Sequence, residues 1–252
     1  MKKSYYLDPI VTESLKDVFV NKFEALILSG KVSIGEILPS ERELAAQLKV
    51  SRPVVHDGLI DLAVKGLVTI KPRSGTVVND FRTQGSIPLL LSLLNYHGTL
   101  DPNLQQDILE MRLLFENEMV RLCALHRNEE HLDELERIVH KEQTIDRSQF
   151  QEVAAVDYAF HQVIALASGN LIYSLLLNSF KEIYLNLSSL FFSDPAVCES
   201  VFDSHQQLLE TIREHDAEKS VSITTQMLNY GAEHLELIIK KSQLRSDARI
   251  AV

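Results

Sequence analysis

Leu38-Pro39-Ser40-Glu41-Arg42-Glu43-Leu44-Ala45 decides the fold of the N-terminal part of the chain. Ser40 and Glu43 stand in S-x-x-E spacing, in which each side chain satisfies a free amide at a helix start. The helix so opened is short, carries Leu44, Ala45 and Leu48 on its buried face, and closes near Lys49-Val50. Ser51 is placed to cap a second helix, with Pro53 in its first turn, where a missing N–H does no harm. Val55, Leu59 and Leu62 follow at i, i+4 and i+7 and face inward, while Arg52 and His56 share the opposite face. A short helix, a tight turn and a second helix with exposed basic residues at its N-terminus describe a helix-turn-helix.

Outward from this pair the pattern stays consistent. Upstream, Val18, Phe23, Leu26 and Ile27 form a helical stripe that stops at Ser29-Gly30. Downstream of Lys65-Gly66 the period becomes alternating. Leu67–Lys71 and Thr76–Val78 read as two strands joined across Pro72-Arg73-Ser74-Gly75. A hairpin with a basic tip directly after a helix-turn-helix is a wing, able to follow a phosphate backbone or enter the minor groove. Gly58 lies inside the second helix at a cost of roughly 1 kcal/mol against alanine, which a close approach of another helix would explain.

These residues resemble the winged helix-turn-helix of the GntR family of bacterial transcriptional regulators. The resemblance rests on Leu38–Ala45, Val50-Ser51-Arg52, Lys65-Gly66-Leu67 and Ser74–Val78, in the family's order and spacing. It implies DNA contacts for Arg42, Ser51, Arg52 and Gly75, and it extends the candidate surface to Val54, His56, Arg73 and Ser74. The family usually has arginine where this chain has His56. A neutral imidazole cannot make the bidentate arginine contact to guanine, so a shifted operator or a weaker contact is expected at that base.

The charge divides the chain in the same place. The whole sequence has 252 residues and a net charge of −10, yet the segment up to Arg82 carries twelve basic and ten acidic residues. A slightly basic head on a strongly acidic body points to two domains with different partners. The expected division is a DNA-binding domain at 1–80, a linker at 81–86 around Thr83-Gln84-Gly85-Ser86, and a helical domain at 87–252. Apolar residues make up 45% and charged residues 24%, which excludes wholesale disorder. Cys123 and Cys198 match no metal or redox spacing, so a reducing cytoplasm is expected. Met1-Lys2-Lys3 leads into Tyr5, Tyr6, Asp8 and Pro9 where a signal peptide needs an apolar run, so none is expected from this stretch. Leu171–Phe192 is the most apolar stretch, but Asn178, Lys181, Glu182 and Asn186 interrupt it, so it reads as a buried helix.

Beyond the linker every long segment reads helical: Leu104–Arg127, Glu129–Ile145, Phe150–Ser168, Leu171–Phe192, Val197–His215 and Ala217–Ser242. In the first of these, Ile108, Met111, Leu114, Phe115, Met119 and Leu122 are expected inward. The fold class is therefore mainly α, a winged helix-turn-helix followed by an antiparallel helical bundle. Polar residues pointing into such a bundle mark a ligand site. Asp157 and His161 stand i, i+4 beside Val153, Val156, Phe160 and Ile164, and His205 opens the buried stripe of Leu208, Leu209 and Ile212. A carboxylate and two imidazoles are suitable ligands for a divalent metal. They can equally form a buried hydrogen-bonded cluster or contact an effector directly.

Asp157-x-x-x-His161, Ser168-Gly169-Asn170, His205 and Glu110-Met111-Arg112 with Glu116 resemble the FCD effector domain of the FadR-type GntR subfamily. The resemblance implies one divalent metal (zinc, nickel or manganese) held by Asp157, His161 and His205. It further implies a small carboxylate effector, a sugar acid or another hydroxy or dicarboxylic acid, with Arg112 and Asn170 as its candidate contacts. A guanidinium at Arg112 equally suits a structural pair with a nearby Glu, and Asn170 equally suits a cap of the next helix. Where the pattern calls for a third metal histidine this chain has Met227, and a thioether is a poor ligand in that company. The expected protein is a homodimeric, bacterial, cytoplasmic regulator, in family habit a repressor, that binds operator DNA and no membrane. A metal-dependent enzyme fused to a DNA-binding head, and a regulator that has lost its effector and acts by protein interaction, are the alternatives. No G-x-G-x-x-G, P-loop, H-E-x-x-H or G-x-S-x-G motif is present.

Overall fold

The computed structural model describes residues 13–95 and 102–250, so the segment Met1–Pro9 lies outside the described residues. The chain divides into a unit ending at Tyr96 and a unit beginning at His97.

The first unit is built from α1 (Leu15–Leu28), α2 (Glu41–Leu48), α3 (Arg52–Val64), β1 (Val68–Lys71), β2 (Gly75–Val78), α4 (Phe81–Gln84) and α5 (Ile87–Asn95). The Ser40–Glu43 capping box is present: Glu43 N–H donates to Ser40 Oγ, and Ser40 N–H donates to Glu43 Oε2 at 2.9 Å. Ser51 occupies the N-cap of α3 with extended backbone, but its side chain makes no capping bond. The hydroxyl expected to cap the helix is thus left at the surface. Phe19, Phe23, Leu44, Val55, Leu59 and Leu62 meet in the core of this unit. Gly58 sits where α1 crosses α3, and a Cβ there would lie 2.4 Å from Phe19 Cδ1. The close approach expected from the sequence is therefore real.

The wing pairs antiparallel, with Val68 opposite Val78 and Lys71 opposite Gly75. A bridge between Ile37 and Val77 adds a short third edge, closed by Leu38 N–H to Thr76 O at 2.8 Å.

The first unit extends past the expected boundary. The stretch 81–86 is not an open linker: Phe81–Gln84 is helical, and α5 packs Leu89 into the head core instead of opening the bundle. Two contacts fix this. Gly66, with φ +79°, lets the Gln84 carbonyl come so near that a Cβ would stand 1.9 Å from it. Lys65 Nζ donates to Glu24 Oε2 at 2.6 Å and to Ser92 Oγ at 2.7 Å, tying α1, the end of α3 and α5 together.

The described elements of the second unit are all helices: α6 (Pro102–His126), α7 (Glu129–Thr144), α8 (Phe150–Ala167), α9 (Leu171–Ser179), α10 (Lys181–Phe191), α11 (Ala196–Arg213) and α12 (Ala217–Ile250). Helix α8 runs through the middle and packs against α6, α7, α9 and α10, while α12 packs along α6, α10 and α11. Val153, Phe160, Ala165, Leu208 and Ile212 are the centre of its core.

Two local expectations are corrected. Leu171–Phe192 is not one helix but two, broken at Phe180. Ser179 Oγ donates back to Leu175 O at 2.8 Å, a bond that competes with the helical ladder and bends helices. Leu114 points outward and is 72% exposed. The inward line of α6 runs through Glu116, Met119 and Cys123, and Leu114 lies about 200° around the helix from Glu116. Cys123 and Cys198 are free, buried thiols. No described helix is long and apolar enough to cross a membrane.

Candidate functional site

Two groups of side chains carry chemistry, one in each unit. In the first, Arg42, Ser51, Arg52, His56, Arg73, Ser74 and Gly75 are all exposed, and Val54 is partly buried at the start of α3. Helix α2 brings Glu41 across to the N-terminal turn of α3. There His56 Nδ1 lies 2.8 Å from Glu41 Oε1, and Arg52 Nη2 lies 3.8 Å from Glu41 Oε2. That hydrogen bond and the charge of Glu41 raise the His56 pKa above its ordinary value. At the wing tip Arg73 holds φ +64° and Gly75 φ +93°. The tip thus places an arginine in the left-handed region, at a backbone cost of roughly 1–2 kcal/mol.

In the second unit five helices converge on one buried cluster. Helix α8 supplies Asp157 and His161 on the same face, and α11 supplies His205. Ligand atoms of these three buried side chains lie within 4.8 Å of one another. His161 Nε2 is 4.0 Å and His205 Nε2 3.8 Å from Asp157 Oδ1. The sequence therefore identified three residues that the fold does bring together.

Each imidazole is backed by a carboxyl group on its far side. His205 Nδ1 donates to Glu142 Oε1 on α7 at 2.6 Å, and His161 Nδ1 lies 2.7 Å from Glu116 Oε2 on α6. A histidine so held presents Nε2 to the site, the arrangement that orients metal-bound imidazoles. Tyr184 on α10 donates its hydroxyl proton to Asp157 Oδ2 at 2.7 Å. Phe160 stacks on the His205 ring, with centroids 3.9 Å apart, and seals that side. His205 Nε2 is fully buried and has no hydrogen-bond partner.

The electrostatics favour bound positive charge, since three carboxyl groups face one guanidinium. Burial opposes a charged His205, but Glu142, with Asp157 and Glu116 behind it, outweighs that and raises its pKa. Burial also pushes the Glu116 carboxyl up, but Arg112 and His161 pull it down further, to about 2. Tyr184 is raised well above the usual phenol range by burial and by Asp157.

Arg112 joins the cluster indirectly. Its Nε pairs with Glu116, and its Nη2 reaches the Tyr184 hydroxyl at 3.3 Å. Asn170 does not join it: its Oδ1 accepts from Ile172 N–H at 3.0 Å and caps α9, and no described contact links it to the cluster. Met227 is buried in the apolar core. Glu142 and Tyr184 were missed in the sequence. Glu142 follows Leu135, Ile138 and Val139 on the buried face of α7, and a carboxylate continuing an apolar stripe was the available signal.

Comparison with known proteins follows the same division. The model of bacterial regulatory proteins of the gntR family matches residues 16–78, and the FCD domain model matches residues 107–230. The fatty acid metabolism regulator protein of Yersinia pestis (strain Pestoides F) is 29% identical over 206 residues, covering 76% of this chain and 83% of the relative. The protein of that name from Yersinia pseudotuberculosis serotype O:1b (strain IP 31758) matches to the same extent, with 29% identity, 76% and 83%. The solved structure of Lar, which controls the expression of the Listeria monocytogenes agr system, aligns with a TM-score of 0.57 at 16% identity. It covers 90% of this chain and 98% of that one, a likeness of fold alone.

Proposed function

The chain belongs to the GntR family of bacterial regulatory proteins, in the branch that carries an FCD domain; it is a DNA-binding transcriptional regulator and not an enzyme, and from that premise we propose how its two units divide the work. The winged unit of a cytoplasmic homodimer reads a two-fold operator, with α3 in the major groove and the Arg73–Gly75 tip on the backbone or minor groove. Exposed Leu114, Leu171, Ile172 and Leu175 on α6 and α9 support a self-association surface, since four large apolar side chains there lack cover.

The buried cluster would hold one divalent metal, whose charge would favour a small carboxylate effector beside it. One observation carries this reading: His205 Nε2 is buried, unpartnered and 3.8 Å from Asp157 Oδ1 while its other nitrogen is fixed by Glu142. An apolar interior does not leave such an atom idle without cost. Asp157, His161 and His205 would hold the ion, two imidazoles and a carboxylate being suited to zinc, nickel or manganese. An ion held there would supply a Lewis acid for carboxylate oxygens. Arg112, already at the rim through Glu116 and Tyr184, neutralises the incoming acid. Effector binding then lowers operator affinity, as in a repressor, to the extent that it favours one arrangement of the paired heads over another. A second reading takes its ligand from the relatives named for fatty acid metabolism: an acyl derivative fills the same site.

The test is metal content of the purified protein by elemental mass spectrometry beside His161→Ala, followed by operator binding with hydroxy acids, dicarboxylic acids and acyl thioesters. About one metal per chain, lost in the variant, is expected. A metal-free protein that still responds to an acid overturns the metal and leaves direct effector contact. No response to any acid overturns the switch.

A further inference from the structure

His56 stands on the exposed face of α3, its side chain 54% accessible, with Nδ1 held by Glu41 from α2. A carboxylate oxygen can only accept, so Nδ1 carries the hydrogen of that bond. The Glu41 contact thereby selects the tautomer and fixes which nitrogen is free. In the neutral ring Nε2 is then a bare acceptor. In the charged ring it becomes an N–H donor. The two forms ask for opposite partners in the major groove: an acceptor needs the amino group of cytosine or adenine, and a donor needs an acceptor, of which guanine offers two (N7 and O6), adenine N7 and thymine O4 one each, and cytosine none.

We propose that His56 sets the base preference of this protein at one position of each half-site, and that the preferred base changes with the protonation of the ring. The inference rests on α3 being the element that enters the major groove. The groups that face the ring are Glu41 from α2, Asp57 beside it on α3, and Arg52, which shares Glu41. The two carboxylates favour the charged form, Glu41 most through its hydrogen bond, and so move the change of form to higher pH. Arg52 meets the other Glu41 oxygen, which ties the base-reading imidazole to a guanidinium in the same turn of helix.

The experiment selects bound duplexes from a pool with a randomised core, using the full-length protein at about pH 6 and about pH 8, either side of the histidine range, at one fixed salt concentration. One position per half-site should change from guanine at the lower pH to cytosine at the higher, with adenine, which offers both an acceptor and a donor, tolerated at both. The change in preference should be about fivefold, the low end of what a good base contact discriminates. His56→Arg should select guanine at both pH values. Glu41→Gln keeps an acceptor for Nδ1 but removes the charge, so the changeover should move to lower pH. Identical selections by the unaltered protein at both pH values overturn the proposal, as does a changeover that survives in His56→Arg. If no sequence is enriched at either pH, the assignment of α3 to the groove fails first and takes the proposal with it.

Discussion

In the N-terminal unit Glu41 is 33% exposed and holds His56 and Arg52 at the surface; in the helical unit Glu142 is 1% exposed and holds a His205 that solvent does not reach. The chemistry of the two pairs is the same, a carboxylate on an imidazole Nδ1. Their consequences differ because of the medium. Between exposed groups the attraction is screened, and such pairs add little to stability. Glu41 is thus free to serve recognition. In the interior neither group can turn to water, so Glu142 and His205 must satisfy each other whatever else they do. One carboxylate orients a reading head, and the other is part of the core.

Removing each carboxylate tests that contrast most severely. Glu142→Ala strands His205 in the interior and should cost about 3–5 kcal/mol, the range for breaking a buried pair from one side. Glu41→Ala should leave the unfolding midpoint where it was and alter only DNA selection. Urea denaturation followed by thiol labelling reads the first effect cleanly. Both cysteines are buried in the helical unit, and the head has none, so labelling reports that unit alone. A loss of stability of the head in Glu41→Ala, followed by circular dichroism, as large as that of the helical unit in Glu142→Ala would erase the distinction.

Acid separates the units next. The Glu116 carboxyl is held down to about 2 by Arg112 and His161 against the opposing effect of burial, whereas its unfolded value is near 4.5. A lowered carboxyl contributes stability that is present above the unfolded value and lost as pH falls towards the folded one. Between about pH 5 and pH 2 the helical unit should therefore lose up to about 3 kcal/mol from this group. Glu43 in the head is also lowered, by its bonds to Ser40, but it is fully exposed and should contribute far less. Urea titrations by circular dichroism at stepwise lower pH should show the helical unit weakening first. A head that fails earlier in acid would break the comparison.

The same difference explains what could be read in the sequence. The head was legible because its signals are local. Ser40 and Glu43 are three residues apart, Ser51 precedes Pro53, and the wing strands are neighbours in sequence. What escaped was non-local: the Ile37–Val77 bridge and the attachment of α5 through Lys65, Glu24 and Ser92. The buried site was half legible. Asp157 and His161 share a helical face, and His205 lies in a clear buried frame, so three residues could be found. Glu142 and Tyr184 come from helices packed against that face, and no spacing along the chain links them to it. The break at Phe180 was hidden because no glycine or proline marks it. Asn170 could be read from the sequence either as a ligand contact or as a helix cap, and the fold uses it as a cap.

Arg73 offers the smallest effect and the finest test. Its left-handed backbone costs roughly 1–2 kcal/mol that glycine would not incur. Arg73→Gly should therefore stabilise the head slightly, by about 1 kcal/mol or less once the added freedom of the unfolded chain is counted. It should also weaken operator binding and reduce the slope of log affinity against log salt by about one, the signature of one lost phosphate contact. Gain of stability together with loss of affinity would mean that the tip keeps a strained arginine for its charge. The buried cluster has no such choice, because there the paired groups, Glu142 and His205, are part of the core itself. If Arg73→Gly leaves the salt slope unchanged, the wing tip does not touch phosphate, and the strain at that position has another cause.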